Sequence, residues 1–465
     1  MSLPREVIRV PGDWVAVILA AGQGKRMNSG LVKGLHALLG RPMVWHVVRA
    51  VREAGVERVI LVVGYQEDRM RTALGTDVEY AVQKQQLGTG HALLQTRDRL
   101  EGIDGDILVV CGDTPLLDPQ DLRDLMAMHR QERAAATILT ALPDDPSGFG
   151  RVVRSAQGTV QAVVEERDAS SAQRAIGEVN TGIYCFRAKD LFPALLRLGA
   201  DNVQGEYYLT DVLSLLARED RPLASLACPD PQTVANINDR VQLSHAAAFM
   251  QHRRLVQLAR SGVTIWSFSS TFVGVDVTVG QDTVLLPMTF LEGECAVGRR
   301  CVIGPNVTVK NAVVGDDCQI LQSVVEASRV DHGVTIGPFT HIRPGSHLRD
   351  GVKVGNFAEL KNAFVDVGSK IPHHSYIGDA QLGKGVNIGA GAITVNYDGR
   401  KKHNTTIGDA AFIGCNSNLI APVAVGPGAY VAAGSTVNQE VPPGALAVAR
   451  SRQVNKPGWA GRHRE

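Results

Sequence analysis

The sequence predicts two folded parts in series, an open α/β sheet followed by a prism of short parallel strands. In the first half, continuous apolar runs alternate with helix-like stretches, the pattern of strands covered on both faces by helices. In the second half, an aliphatic residue recurs at every sixth position through Val324, Val330, Ile336, Ile342, Leu348, Val354 and Leu360. A second series runs Ile407, Ile413, Leu419, Val425, Val431, Val437, and a shorter one, Val297, Ile303, Val309, precedes both. Neither a helix nor an amphipathic strand requires that spacing. A three-sided coil does, because each side turns one branched side chain inward. Composition agrees: 48 glycines and 5% aromatics in 465 residues suit tight corners and small-residue stacking.

Taken in order, residues 15–21 (Val-Ala-Val-Ile-Leu-Ala-Ala) form an apolar run ending in glycines, as a buried strand does. Residues 43–54 have helical character, 59–63 form a second buried strand, 91–100 are helical, and Asp106–Cys111 is a third strand. Residues 233–261 contain neither proline nor glycine, which predicts a long helix joining two domains. The prism is expected from about 262 to about 441, with a loop extruded near 396–404, where the repeat fails. The resulting domains are 1–238, a linker helix 239–262, and 263–465. The last includes a tail carrying Arg450, Arg452, Lys456 and Trp459.

Charge and cysteine usage exclude several classes. Lys plus Arg is 48 and Asp plus Glu is 47, so a net charge of +1 gives no electrostatic case for nucleic acid. The seven cysteines are odd in number and form no C-x-x-C pair, arguing against a disulfide frame or zinc knuckle. The longest early apolar run is too short to span a bilayer and does not read as a signal peptide. A soluble, cytoplasmic protein without a membrane partner is expected.

Gly22-Gln-Gly24-Lys25-Arg26-Met27 follows the first strand directly. Small residues there let backbone N–H groups approach phosphates, Arg26 adds a planar donor fork and Lys33 a point charge. Met27 stands where a dinucleotide fingerprint needs its third glycine, and no Walker loop occurs. A plain glycine turn is the alternative. Gln85-Gln-Leu-Gly88-Thr89-Gly90-His91 is a second small-residue turn entering a helix. Cys111-Gly112-Asp113 puts a carboxylate past a buried strand, where open sheets bind ligands. Asp113 could cap a helix, since Pro115 follows, or hold Mg²⁺ beside a triphosphate.

In the prism, Arg343-Pro-Gly345, Lys361, His373-His374-Ser-Tyr376, Asn387 and Asn396-Tyr397-Asp398-Gly399 depart from small and aliphatic types. Coils spaced by about eighteen residues allow Arg343, Lys361 and His373 to lie near one edge of successive coils. Stacked cations suit a phosphorylated substrate, and a histidine among them suits proton abstraction. Each residue alone could be a solvated surface group.

The order and spacing of these segments resemble the sugar-1-phosphate nucleotidyltransferases. More closely, they resemble the bifunctional bacterial N-acetylglucosamine-1-phosphate uridylyltransferase/glucosamine-1-phosphate acetyltransferase family. Further matching segments are Gly148-Phe-Gly150-Arg151, Val164-Glu165, Glu178-Val-Asn180-Thr-Gly182, Gly205-Glu-Tyr-Tyr-Leu-Thr-Asp211 and Asn236-Ile-Asn238-Asp-Arg240. The resemblance implies an α/β nucleotidyltransferase domain (a Rossmann-like open sheet) followed by a left-handed parallel β-helix of hexapeptide repeats. It implies that Leu19, Ala20, Ala21, Gly22, Gln83, Gly88, Thr89 and Gly112 hold the uridine nucleotide. Gly150, Glu165 and Asn180 would bind the sugar, Asp113 and Asn238 would hold Mg²⁺, and Lys33 and Arg26 would act on the phosphates. The sugar phosphate would attack the α-phosphorus of UTP in line, needing no general base because a phosphate monoester is already an anion.

For the prism, the resemblance implies that Arg343, Lys361, Tyr376 and Asn387 bind glucosamine-1-phosphate, with His373 as general base. Ala390, Asn396, Tyr397, Cys415, Ala433 and Arg450 would line an acetyl-CoA cleft. His374 is the natural rival of His373, which is preferred because it keeps three positions from Tyr376. Three departures from the family pattern stand out. Val32 and Gly34 flank Lys33, where the family usually has proline before and valine after. Cys111 replaces a common aromatic, and Cys415 a common serine. A homotrimer through the prism is expected, with acetyl-transfer sites between subunits. The product, UDP-N-acetylglucosamine, would serve cell-envelope polymers. A single-activity nucleotidyltransferase whose prism only oligomerises is disfavoured by the Arg343/Lys361/His373/Tyr376 set. A non-catalytic subunit of this architecture is disfavoured by Arg26, Lys33, Asp113 and Asn238.

Overall fold

The computed structural model describes residues 14–100 and 102–463 and divides into two compact units, Met1–Met250 and Gln251–Glu465. Residues 1–13 and 464–465, assigned from the sequence to the first domain and the tail, lie outside the described residues, as does residue 101.

The first unit is built on a twisted sheet. Its strands are β1 (Trp14–Leu19), β2 (Arg58–Val63), β3 (Glu79–Val82), β4 (Asp106–Cys111), β5 (Ala136–Ala141), β6 (Arg151–Arg154), β7 (Val160–Val164), β8 (Val179–Arg187) and β9 (Leu223–Ala227). The order is β9-β5-β8-β4-β1-β2-β3, with β6 attached to β8 and β7 to β6. β1, β2, β3 and β4 are mutually parallel where they pair, and β8 runs antiparallel to β4 and β5. Continuous apolar runs appear because both faces are covered: Ala16, Val17 and Ile18 are all fully buried. Helix α1 (Met43–Glu53) agrees closely with the expected 43–54. The helix expected over 91–100 is instead two, α2 (Thr89–Leu94) and α3 (Arg97–Leu100). Between them the Thr96 hydroxyl donates to the Leu93 carbonyl at 2.7 Å, a local bond that competes with the helix. Helix α4 (Pro119–Gln131) follows β4.

The long helix α5 (Arg240–Arg260) begins later than the sequence suggested. Asp239 caps it, accepting from the Gln242 N–H at 2.8 Å. Lack of proline and glycine permits a helix but does not start one. The residues before it stay extended, with the Ile237 N–H donating to the Asp113 carbonyl at 2.9 Å. That bond sets Asn236 and Asn238 beside Asp113.

The second unit is a parallel β-helix. Short strands stack coil upon coil in an 11-stranded and a 17-stranded sheet among the described residues. Every residue of the three six-residue series is buried except Val324, which is 36% exposed, whereas Val325 is fully buried. Val325 pairs with Val309 on one side and Ile342 on the other, so it takes the inward place. The side from Val325 to Val330 is thus one residue shorter than the repeat, and Ser323 fills the corner before it, its hydroxyl donating to the Leu321 carbonyl at 2.6 Å. Cysteines 295, 301 and 318 are buried in this core, and all seven cysteines are free thiols.

The extruded loop lies where the repeat fails. Registry passes from Leu382 to Ile407 between neighbouring coils, and Tyr397 pairs with Lys402 across the excursion. Asp398 holds the loop closed by accepting from the Arg400 and Lys401 N–H groups, both at 2.7 Å, and facing His403 Nε2 at 2.7 Å. Those donors, Lys401 first, lower the Asp398 carboxyl pKa to about 2. No helix among the described residues is long and apolar enough to cross a membrane.

Candidate functional site

β1 and β4 end together, Leu19 opposite Cys111, so the loops that follow open onto one edge of the sheet. A cleft of about 490 Å³ there is lined by Leu19, Ala20, Ala21, Gly22, Arg26, Lys33, Gln83, Gly88, Thr89, Gly112, Asp113 and Asn238. A smaller cleft of about 180 Å³ shares Leu19, Thr89 and Cys111 with it and is lined by Gly150, Glu165 and Asn180. The structure thus brings together every residue singled out in this half, from segments far apart in sequence.

Two glycines are required by geometry. Gly88 has φ +107°, and a Cβ there would stand 2.6 Å from the Tyr207 carbonyl oxygen. Gly24 has φ +67°, and a Cβ there would stand 2.5 Å from the Lys33 Cβ. Gln83 is buried, and its Nε2 faces the Gly88 carbonyl at 3.1 Å and His91 Nδ1 at 3.0 Å, leaving its Oε1 to accept from a ligand.

Lys33 Nζ donates to Asp113 Oδ2 and, at 2.8 Å, to Asn238 Oδ1, which also accepts from Arg26 Nη2 at 2.9 Å. Asp113 Oδ1 is buried without a hydrogen-bond partner. A carboxylate and an amide oxygen converging beside two cationic donors form a set that suits a small hard cation and phosphate oxygens. The loop of Lys33 is anchored without a proline, because Val32 is fully buried and donates its N–H to Gln66 Oε1 at 3.2 Å. A Cβ on Gly34 would come closest to Met70 Cε, the movable end of a flexible side chain.

In the smaller cleft, burial pushes the Glu165 carboxyl pKa up, opposed by a 3.2 Å hydrogen bond from the Thr210 hydroxyl. Asn180 Oδ1 accepts from the Gly182 N–H at 2.9 Å and the Tyr184 hydroxyl at 2.8 Å, which fixes the amide's orientation. Burial raises the Cys111 thiol pKa to about 12, so it is a neutral wall. Asn236 lines both clefts, and its buried Oδ1 has no hydrogen-bond partner. The sequence segment contained Asn236, but its spacing gave no reason to separate it from a loop residue.

In the β-helix, Arg343, Lys361 and Tyr376 share one sheet. The Arg343 N–H donates to the Leu360 carbonyl, and Arg343 Nη1 donates to Glu359 Oε1 at 2.6 Å. Glu359 pairs with Tyr376, and Lys361 with Gly378. Lys402, at the base of the extruded loop, lies beside Lys361; its ammonium, and then Arg343, lower the Lys361 pKa. Lys402 was missed from sequence because the loop carries no repeat from which to place it.

His373 does not join that sheet, contrary to a shared edge with Arg343 and Lys361. It ends the strand Lys370–His373, in register with Asn356, and its Nδ1 lies 2.9 Å from Asn356 Oδ1. His374 occupies the corner at φ +39°, and Ser375 separates it from Tyr376. Below Lys370 stands Asn387, then Phe412, then Tyr430. Past the ends of these strands the coils stay linked at the corner, where the Gly391 N–H donates to the His374 carbonyl at 2.9 Å. In the next coils the Asn416 N–H donates to the Ala390 carbonyl and the Gly434 N–H to the Cys415 carbonyl, which stacks Ala390, Cys415 and Ala433 near this corner. Arg450 follows Ala449, which bonds Ser435 and Thr436, and its Cδ lies beside Gly434. Cys415 is an exposed free thiol. Asn396 is buried and donates to Asp379 Oδ2 at 2.5 Å and to the Tyr376 hydroxyl at 3.4 Å, while Tyr397 is exposed.

An open sheet with a glycine-lined phosphate cleft, followed by a hexapeptide coil carrying stacked cations and a histidine, defines a nucleotidyltransferase joined to an acyltransferase. The MobA-like NTP transferase domain matches residues 16–215, the GlmU-like C-terminal hexapeptide 304–384 and the bacterial transferase hexapeptide 404–439. The chain is 49% identical to "Bifunctional protein GlmU" of Brevibacillus brevis over 96% of its length and 97% of that protein's. It is 48% identical to the Geobacillus thermodenitrificans protein of the same name, over 97% and 98%, and 46% to one from Listeria monocytogenes, over 96% and 97%. The chain belongs to the bifunctional GlmU family. It is a bifunctional enzyme, an acetyltransferase acting on glucosamine-1-phosphate and a uridylyltransferase acting on N-acetylglucosamine-1-phosphate.

Proposed function

We propose that the two reactions occupy the two sites described, with acetyl-CoA as acyl donor and Mg²⁺ serving nucleotidyl transfer. In the α/β unit, Leu19 to Gly22, Gln83, Gly88, Thr89 and Gly112 take the uridine nucleotide, and Gly150, Glu165 and Asn180 take the sugar. Arg26 and Lys33 neutralise charge that builds on the phosphoryl and leaving oxygens. Asp113 and Asn238 are the oxygens that would hold Mg²⁺; the ion would supply charge neutralisation and a template for the triphosphate. The orphaned Asp113 Oδ1 supports that role.

In the β-helix, Arg343 and Lys361 bind the phosphate of glucosamine-1-phosphate, and Tyr376 and Asn387 orient the sugar. His373 accepts a proton from the 2-amino group as it attacks the thioester carbonyl. Asn356, accepting at Nδ1–H, favours the tautomer whose Nε2 is the free base. Acetyl-CoA lies along Ala390, Asn396, Tyr397, Cys415, Ala433 and Arg450. The observation that supports this assignment is the 2.9 Å contact that holds His373 on Asn356 at a corner where Ala390 and Cys415 accept backbone bonds from the coils that follow them. A homotrimer through the β-helix supplies the facing wall of that groove, and the enzyme works in the cytoplasm, bound to neither nucleic acid nor membrane.

The test uses two variants. His373→Ala is expected to abolish thiol release from acetyl-CoA and leave pyrophosphate release from UTP plus N-acetylglucosamine-1-phosphate intact. Asp113→Ala is expected to do the reverse. Loss of both activities in either folded variant would refute the two-site assignment.

A further inference from the structure

We propose a separate anion-binding site on the nucleotidyltransferase unit, at the opposite edge of the sheet from the nucleotide cleft, that takes a phosphate-class dianion. β4 carries Cys111 into the nucleotide cleft at its far end and begins at Asp106, which lines a second cavity of about 310 Å³. Six residues of extended strand span roughly 20 Å, so the two places do not share a ligand.

Four cations face this cavity: Arg130 and Arg133 from the end of α4, and Arg187 and Lys189 from the end of β8 and the residues after it. The one carboxylate, Asp106, already accepts from Arg130 Nε at 3.1 Å. Cations at a helix C-terminus favour the helix dipole, which would account for Arg130 and Arg133. It does not account for Arg187 and Lys189, which come from another segment. The site is also built. Arg187 Nη2 donates to the Ala134 carbonyl at 2.9 Å while its Nη1 pairs with the buried Asp190 carboxylate at 3.3 Å, and Arg130 stacks over the Trp14 ring with its Cζ 5.0 Å from the centroid. Arg133 and Lys189 have no side-chain partner among the described residues, so their charges are available to a ligand.

His129 is 2% exposed and lines the cavity. Its Nδ1 pairs with the Thr137 hydroxyl at 2.8 Å and its Nε2 faces Asp106 Oδ1 at 3.5 Å, so Asp106 is held between His129 and Arg130 and the cavity's unpaired positive charge rests on Arg133 and Lys189. Arg133 holds φ +48° just past the end of α4, a place where glycine costs least. Keeping an arginine there retains a guanidinium at the cavity.

Calorimetric titration of inorganic phosphate, at low ionic strength and with UDP-N-acetylglucosamine present to fill the nucleotide cleft, tests this. Wild type is expected to show a class of site that weakens about tenfold or more in Arg133→Ala/Lys189→Ala and is unchanged in Lys361→Ala. Both substituted residues are exposed, so the fold should survive, which circular dichroism would verify. Glucose-1-phosphate, titrated in a parallel arm, separates a free phosphate from a phosphomonoester as the better occupant. Isotherms for both ligands that are the same in wild type and in the double variant would overturn the proposal.

Discussion

His373 Nδ1 lies 2.9 Å from Asn356 Oδ1, its in-register neighbour one coil earlier, while the adjacent His374 turns through the corner in a left-handed conformation. The two histidines therefore have different surroundings, although the sequence sets them side by side. His373→Ala is expected to lower acetyl transfer by about 10²–10⁴-fold, and His374→Ala to leave it nearly unchanged. Asn356→Ala should cost about tenfold in kcat, since the ring loses the bond that fixes its tautomer. Steady-state thiol release from acetyl-CoA measures all three.

Gly24 and Lys33 are packed so closely that a methyl group on Gly24 would collide with the lysine, and the backbone there is left-handed. Gly24→Ala is expected to displace Lys33 and reduce uridylyl transfer by about a hundredfold. Acetyl transfer should be unaffected, so the pyrophosphate-to-thiol ratio of the variant is the informative quantity.

Burial holds the Glu165 pKa above its ordinary value. A carboxyl whose folded pKa is raised contributes stability fully present below its unfolded pKa and lost as pH rises through the folded value. Glu165→Gln is therefore expected to gain thermal stability relative to wild type at pH 8, with the difference shrinking towards pH 4. The same variant should raise KM for N-acetylglucosamine-1-phosphate, by about tenfold. Melting temperatures across that pH range, together with the KM, check both statements.

Lys402 stands beside Lys361 and lowers its pKa, and a dianion bound between the two ammonium groups would relieve their repulsion. Lys402→Ala is expected to raise KM for glucosamine-1-phosphate by about tenfold with a smaller change in kcat. Lys402→Arg should retain most of the affinity. Initial-rate kinetics at fixed acetyl-CoA distinguish this from a general loss of loop structure, which would lower kcat instead.

The six-residue series forecast the β-helix, and every residue in them except Val324 is buried, because a stacked coil repeats one environment and so writes its period into the chain. Val324 departed from it, since the sequence does not reveal that the side from Val325 to Val330 is one residue short, which moves the inward place to Val325. β1, β2 and β4 were equally legible, being buried on both faces, but the other strands of the α/β unit and β8's antiparallel direction were not. Direction depends on how the chain returns to the sheet, and no local pattern records that return. Helix α5 was placed too early because absence of breakers does not mark a start; the Asp239 cap does.

By itself the sequence determined the two architectures and the residue types able to carry phosphate, metal and proton chemistry, since period and motif are local properties. Only the tertiary structure decided which of those side chains meet. It joined Lys33 to Asp113 and Asn238 and separated His373 from His374. It also brought Asn236 and Lys402 into sites where no spacing had put them. Convergence of groups distant along a chain is set by strand order and register, and these follow from packing of the whole unit rather than from any single segment.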